Sequence, residues 1–209
     1  MHEAPKTVAG DVDPRAAFFN ELAPRWDETG QDPCETVMRV AEHAELLRLA
    51  AGEDLLEVGC GTAQLTGWLA SRVSPGSVVA VDFAPAMLEA AHRKGVAADF
   101  RLADVCQDEL GESCYDVVLC FHSFPHFRDQ AAAVANLARA LRDAGRLLVM
   151  HLAGSAQINA FHDQVGGAVG GDHLPSRDRF ERLLAAAGLT IRQHIDREGL
   201  FFLEACRSL

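Results

Sequence analysis

The chain predicts an α/β fold: a doubly wound sheet of five parallel strands that ends in an antiparallel hairpin. Three observations predict it. Apolar runs alternate with helical patterns between residues 54 and 151. The first run turns abruptly into glycines, in DLLEVGCGTAQLT at 54–66. The last two runs stand too close together for a crossover connection and must pair as a hairpin.

Taken in order, residues 1–13 mix charge with proline and glycine, lack the apolar core of a signal peptide, and read as a flexible tail. Residues 14–50 read as N-terminal helices, AAFFNELAPRW at 16–26 and ETVMRVAEHAELLRLA at 35–50, the second with apolar residues at Val37, Val40, Ala41, Ala44 and Leu47. A strand at 54–58 passes through the glycine turn into a helix at 63–72. SVVAVD at 77–82 is the second strand, and Pro85 suits the first turn of a helix at 85–94. Further strands fall at 98–102, 115–121 and 145–151, with a helix at 129–142 that ends in the turn Asp143-Ala144-Gly145. Such a repeat implies right-handed crossovers and helices on both faces of the sheet. An insertion at 154–174 precedes a helix at 177–187, and LTIRQHI (189–195) pairs with LFFLEACRS (200–208) across Asp196-Arg197-Glu198-Gly199. The whole of 1–209 reads as one domain.

Composition narrows the partners. Thirty acids against 19 Lys and Arg give a net charge of −11, which opposes nucleic acid and an anionic membrane surface, since both require a basic face. No stretch approaches the ~18 consecutive apolar residues of a membrane span. A small-molecule substrate is the expectation. The six cysteines form no CxxC pair and read as reduced, mostly buried thiols of a cytoplasmic protein.

The glycine turn carries the chemistry. Gly59 and Gly61 remove side chains where strand gives way to helix, so a ligand can lie against backbone. Asp82 ends the next strand, 21 residues beyond Gly61, where a carboxylate can accept from ribose hydroxyls. A dinucleotide and S-adenosylmethionine both fit that outline. Gly59-Cys60-Gly61-Thr62-Ala63-Gln64 lacks the third glycine of the dinucleotide fingerprint. Glu57, two residues before the first glycine, would repel a pyrophosphate and favour a cationic ammonium group. The terminal hairpin also belongs with the second ligand, and S-adenosylmethionine is the cofactor expected.

Glu57-Val58-Gly59-Cys60-Gly61-Thr62 resembles the first motif of the class I S-adenosylmethionine-dependent methyltransferases, whose sheet is Rossmann-like. The likeness runs from about Phe18 to Arg207. FFNELAPRWDE, FHSFPHF and HLPSRDRFERLLAAAGL resemble the small-molecule branch related to quinone-biosynthesis methyltransferases. The resemblance implies that Asp82 binds both ribose hydroxyls, that Phe83 flanks the adenine, and that Asp104 accepts from the adenine amino group beside the Val105 amide. It also implies that Gly59 and Gly61 line the methionine moiety, with Ala63 standing where a third glycine is frequent. Asp104 has a plainer reading, as the cap of a turn over Val105-Cys106-Gln107. Phe18, Phe19 and Trp26 read equally as core aromatics or as part of a lid formed by the N-terminal helices.

Histidines supply the candidate catalytic groups. His122 and His126 follow the fourth strand, His151 ends the fifth, and His162 and His173 lie in the insertion. Topology brings His126, His151 and His162 to the carboxyl edge of the sheet, where ligands bind. One of the three can act as a base or contact the substrate. Alternatively, His126, His151 and His162 with Asp172 bind a divalent metal that acidifies the acceptor. The plainest alternative is a structural role. Two other classes stay open at this point: a nicotinamide-dependent oxidoreductase, and a non-catalytic cofactor-binding module.

Overall fold

The computed structural model describes residues 13–29 and 32–207. The expected tail lies, except for Asp13, outside the described residues. Five strands run parallel: β1 (Leu55–Val58), β2 (Val78–Asp82), β3 (Asp99–Leu102), β4 (Tyr115–Phe121) and β5 (Leu141–His151). The hairpin of β6 (Leu189–Arg197) and β7 (Leu200–Arg207) completes a sheet of order β3-β2-β1-β4-β5-β7-β6, with β7 antiparallel to both neighbours. The second arm of the hairpin therefore inserts beside β5 and leaves the first at the edge. Burial explains the choice. β7 is covered from Leu200 to Ala205, whereas β6 is exposed or half-buried along most of its length.

Local chemistry starts the helices. Asp13 accepts from the Arg15 N–H and Asp32 from the Glu35 N–H, each followed by a proline in the first turn of α1 (Pro14–Leu22) and α2 (Pro33–Ala41). Asp129 caps α6 (Gln130–Ala140) through the Ala131 and Ala132 N–H groups, and Ser176 caps α8 (Arg177–Ala186).

Four boundaries differ from the sequence expectation. The helix expected at 16–26 stops at Leu22 and continues as a 3-10 turn, Ala23–Glu28, because Pro24 cannot donate within an α-helix. The helix expected at 35–50 breaks into α2 and a short α3 (Ala44–Leu47), which Arg48 ends in the left-handed region at φ 46°. The helix expected from residue 63 begins only at Thr66, as α4 (Thr66–Val73). Gly59, Gly61 and Ala63 take φ values of 71°, 54° and 61°, and the chain wraps round a wider turn first. The turn expected at Asp143-Ala144-Gly145 is a bulge inside β5: Tyr115 pairs with Leu141, and Val117 already pairs with Arg146. The insertion at 154–174 carries its own α7 (Ser155–Val165) and a 3-10 turn, Gly167–Val169.

Apolar clusters cover both faces of the sheet. On one face Phe180 of α8 sits between Phe124 and Phe201, with ring centroids 4.8 and 5.7 Å away. Among the described residues no helix is long and apolar enough to cross a membrane. Of the six free cysteines only Cys60 and Cys120 are buried, fewer than expected, because Cys34 and Cys114 fall on an exposed helix face and an exposed loop.

Between β1 and β4 the chain connections leave in opposite directions, β1 towards β2 and β4 towards β5. Loops that diverge from one point open a crevice at the carboxyl edge of the sheet, and the site occupies it. The hairpin and α8 hold the far half of that edge through Phe180, which is fully buried. Phe180→Ala is expected to lower unfolding stability by about 3–5 kcal/mol, checked as a shift of the urea midpoint at unchanged slope.

Candidate active site

Two carboxyl groups lie at the floor of the crevice. Glu57, only 2% exposed, comes from the middle of the apolar strand β1 and shares a face with Leu55, against α4. Its Oε2 accepts from the Thr66 hydroxyl at 2.6 Å. Burial pushes the Glu57 carboxyl up to about 8, against the pull of that hydrogen bond, with Asp82 adding to the rise. Asp82 ends β2 and is 6% exposed. Its Oδ2 accepts from the Gly61 N–H at 2.8 Å and its Oδ1 from the Ala84 N–H at 2.9 Å. Burial raises Asp82 to about 6 although these backbone bonds work the other way. Among the described residues neither acid has an ion-pair partner, yet both line the same cleft.

Backbone packs closely beneath them. A Cβ on Gly59 would stand 2.4 Å from the Cβ of Ser123, whose hydroxyl donates to the Val58 carbonyl at 2.6 Å. Glycine at 59 is thus required twice, by its positive φ and by the approach of the β4 loop to the β1 loop.

Phe83 lines the cleft and meets Phe19 of α1 edge-on at 5.8 Å. Asp104 lines it too, but Oδ1 accepts from the Cys106 N–H at 2.9 Å and Oδ2 from the Gln107 amide at 2.6 Å. The turn-capping reading of Asp104 is met by these bonds, at a position that also lines the cleft. Val105 is buried beside it, on the cleft wall.

The N-terminal segment covers the glycine turn. Asp27 accepts from the Thr62 hydroxyl at 2.6 Å and the Gln64 amide at 2.9 Å, and pairs with Lys94 at 2.7 Å. Burial pushes the Asp27 carboxyl up, but the bonds from Lys94, Thr62 and Gln64 prevail and hold it below its usual range. Phe19 and Trp26 join the cleft lining from above. Sequence reasoning missed Asp27, since nothing local marks an acid whose partners stand 35 to 67 residues away.

The three candidate histidines separate. His126, on the 3-10 turn Phe124–His126, lines the cleft. His151 and His162 do not. His151 is 2% exposed and packs behind His122 at 5.0 Å, and its Nε2 has no hydrogen-bond partner. Burial, with His122, His126 and His162 nearby, holds His151 well below the usual histidine range, and it stays neutral. His162, on α7, lies 4.9 Å from the His126 ring, and its Nδ1 bonds the Asp172 carbonyl. Burial and then His126 lower it as well. The cleft instead admits His122, which the sequence did not select. Its Nε2 accepts from the Leu152 N–H at 3.3 Å, and burial lowers it to about 4.

His126 alone of the proposed set combines access to the cleft with a charged partner. Its Nδ1 lies 2.8 Å from Oδ2 of Asp172, a buried carboxylate that also takes Arg15. Among the described residues no three His, Cys, Asp or Glu side chains are grouped to hold a metal ion. The divalent metal expected on His126, His151 and His162 finds no such group to hold it: His126 lines the cleft, whereas His151 is sealed behind His122 and His162 lies outside the lining.

The chain matches a methyltransferase-domain family over residues 56–149. It is 28% identical over 211 residues to the demethylmenaquinone methyltransferase of Thermus thermophilus, covering 85% of this chain and 94% of that protein. It is 36% identical over 135 residues to the nocamycin O-methyltransferase of Saccharothrix syringae, covering 62% of this chain and 48% of that protein. Several further relatives are likewise spanned over about half their length or less. Among solved structures, magnesium protoporphyrin IX methyltransferase from Synechocystis with bound SAH shares the fold, with a TM-score of 0.68 and 21% identity over 93% of this chain and 98% of that one.

A carboxyl held above its ordinary value keeps its proton more tightly in the folded state than in the unfolded one. Raising the pH from Glu57's ordinary 4.5 towards its folded value of about 8 therefore destabilises the ligand-free protein. Glu57→Gln is expected to remove a large part of that decline, on the order of a few kcal/mol by pH 8, measured by urea unfolding across the range.

Proposed function

We propose that this chain, a class I S-adenosylmethionine-dependent methyltransferase, methylates a small molecule whose proton is taken by His126. One observation carries the cofactor side: two buried carboxyls face one cleft, and neither has an ion-pair partner among the described residues. Burying an acid without a partner is costly, and a cationic ligand relieves that cost. A pyrophosphate would add to it, which disfavours a nicotinamide dinucleotide in the same cleft.

The residues present fit S-adenosylmethionine. Asp82 keeps acceptor capacity for the ribose hydroxyls, because its two oxygens offer about four lone-pair sites and the Gly61 and Ala84 N–H groups take one on each. Glu57 would take the cationic end of the amino-acid moiety, above the bare turn at Gly59 and Gly61. Phe83, Asp104 and Val105, which line the same cleft, would border the adenine. When bound, the cofactor supplies an electrophilic methyl carbon on a sulfonium.

The acceptor side belongs to His126. With Nδ1 engaged by Asp172, the Nε2 lone pair is the basic site left on the ring. Taking the acceptor's proton there raises the electron density of the attacking atom, and such base catalysis contributes about 10²–10⁴ in rate. Phe19 meets the His126 ring edge-on at 4.9 Å and, with Trp26, shields the cleft from water on the N-terminal side. Holding both reactants within one cleft supplies the remainder by alignment. A net charge of −11 and acceptors of the size named for the relatives both point to a small molecule rather than nucleic acid.

Two substitutions separate the halves of the site. Asp82→Ala is expected to weaken S-adenosylmethionine binding by about 10²-fold or more, since two charge-assisted bonds of about 1.5–3 kcal/mol each are lost. Calorimetric titration at pH 8 reads it, and unchanged affinity overturns the ribose assignment. His126→Gln is expected to lower kcat by about 10²–10⁴ while cofactor affinity stays within about twofold. Wild-type turnover in that variant removes His126 from the chemistry.

A further inference from the structure

Asp172 is 2% exposed and sits 46 residues from His126 and 157 from Arg15, so three distant segments converge on one carboxylate. Arg15 comes from α1, His126 from the turn after β4, and Asp172 from the loop after the 3-10 turn Gly167–Val169. Arg15 Nε stands 3.0 Å from Oδ1 and 3.1 Å from Oδ2, and its terminal nitrogen 2.7 Å from Oδ1. His126 Nδ1 takes Oδ2 at 2.8 Å. The loop is itself anchored, because the Asp172 N–H donates to the Val169 carbonyl at 3.0 Å and its carbonyl bonds His162.

We propose that Asp172 and Arg15 are positioning residues that fix His126 as the imidazole protonated on Nδ1. This rests on the reading of His126 as the base. An ionised carboxylate accepts only, so the nitrogen facing it must carry the proton, and the lone pair is left on Nε2. Burial works to raise Asp172, yet the bonds from His126 and Arg15 outweigh it and keep the group ionised. Arg15 does more than neutralise charge. A guanidinium donates only, so whatever stands at 172 must turn an acceptor atom towards it. In the wild type both carboxylate oxygens are acceptors and the constraint is invisible.

An amide at 172 exposes it. In Asp172→Asn the oxygen is drawn to Arg15, the NH2 group is left facing His126, and Nδ1 must become the acceptor. The proton then moves to Nε2 and the base loses its lone pair. Removing Arg15 as well, in Arg15→Met with Asp172→Asn, frees the amide to turn its oxygen to Nδ1 and restores the original tautomer. A contact that does not set the His126 tautomer predicts no such reversal and recovery.

The test is long-range proton–nitrogen correlation NMR of the full chain labelled with 15N-histidine, with the His126 signals assigned from His126→Gln. The expected results are a proton on Nδ1 in the wild type, on Nε2 in Asp172→Asn, and on Nδ1 again in the double variant. A wild-type ring protonated on Nε2 overturns the proposal without any variant having to fold. So does an Asp172→Asn ring that keeps its proton on Nδ1, or a double variant that keeps it on Nε2. Because tautomers are read without turnover, a correct tautomer pattern together with an active His126→Gln variant would refute the base assignment and leave the positioning intact.

Discussion

The site depends on the carboxylate of Asp82 and the two backbone N–H groups it holds. One bond reaches across to Gly61 in the turn after β1, the other to Ala84, the residue before α5 (Pro85–Arg93). The group thereby joins the ends of β1 and β2 and fixes one wall of the crevice that opens between β1 and β4. Its position is possible because Gly59, Gly61 and Ala63 take left-handed conformations that swing the backbone round the carboxylate before α4 begins. Glu57, one strand over, accepts the hydroxyl of Thr66 in the first turn of that same helix. Two acids thus organise the strand ends, and both are left wanting positive charge.

The parallel frame of the sheet was legible in the sequence, and so was the meeting of the glycine turn, Glu57 and Asp82 in one cleft. The reason is local encoding. Apolar runs such as LLEV and VVAVD, the glycine turn, and Asp82 at a strand tip each act within one strand–turn–helix unit. The nearest errors were also local. A glycine-rich turn reads as a helix start until the φ of Ala63 is known, and Asp143-Ala144-Gly145 reads as a turn although the ladder of β4 and β5 continues past it as a bulge.

The histidine side of the cleft was legible only in outline. Topology correctly brought His126, His151 and His162 to one edge, but only side-chain packing separates them. His151 and its neighbour His122 sit 5.0 Å apart, and it is the second that reaches the cleft. Arg15 and Asp27 carry no pattern at all. Each finds its partners by tertiary approach, Arg15 at Asp172 and Asp27 at Thr62 and Lys94, and no spacing rule records a contact between segments brought together only by the finished fold.

That division has a chemical consequence. Asp82, Glu57 and the glycine turn are built into the sheet, so altering them disturbs the frame on which every other element rests. Arg15, Phe19 and Asp172 come from α1 and the loop after α7, outside the strands. Those outer segments can exchange residues while the strand ledge beneath them is preserved. One frame can therefore carry cleft walls of different shape, with the floor at Glu57, Asp82 and the glycine turn unchanged.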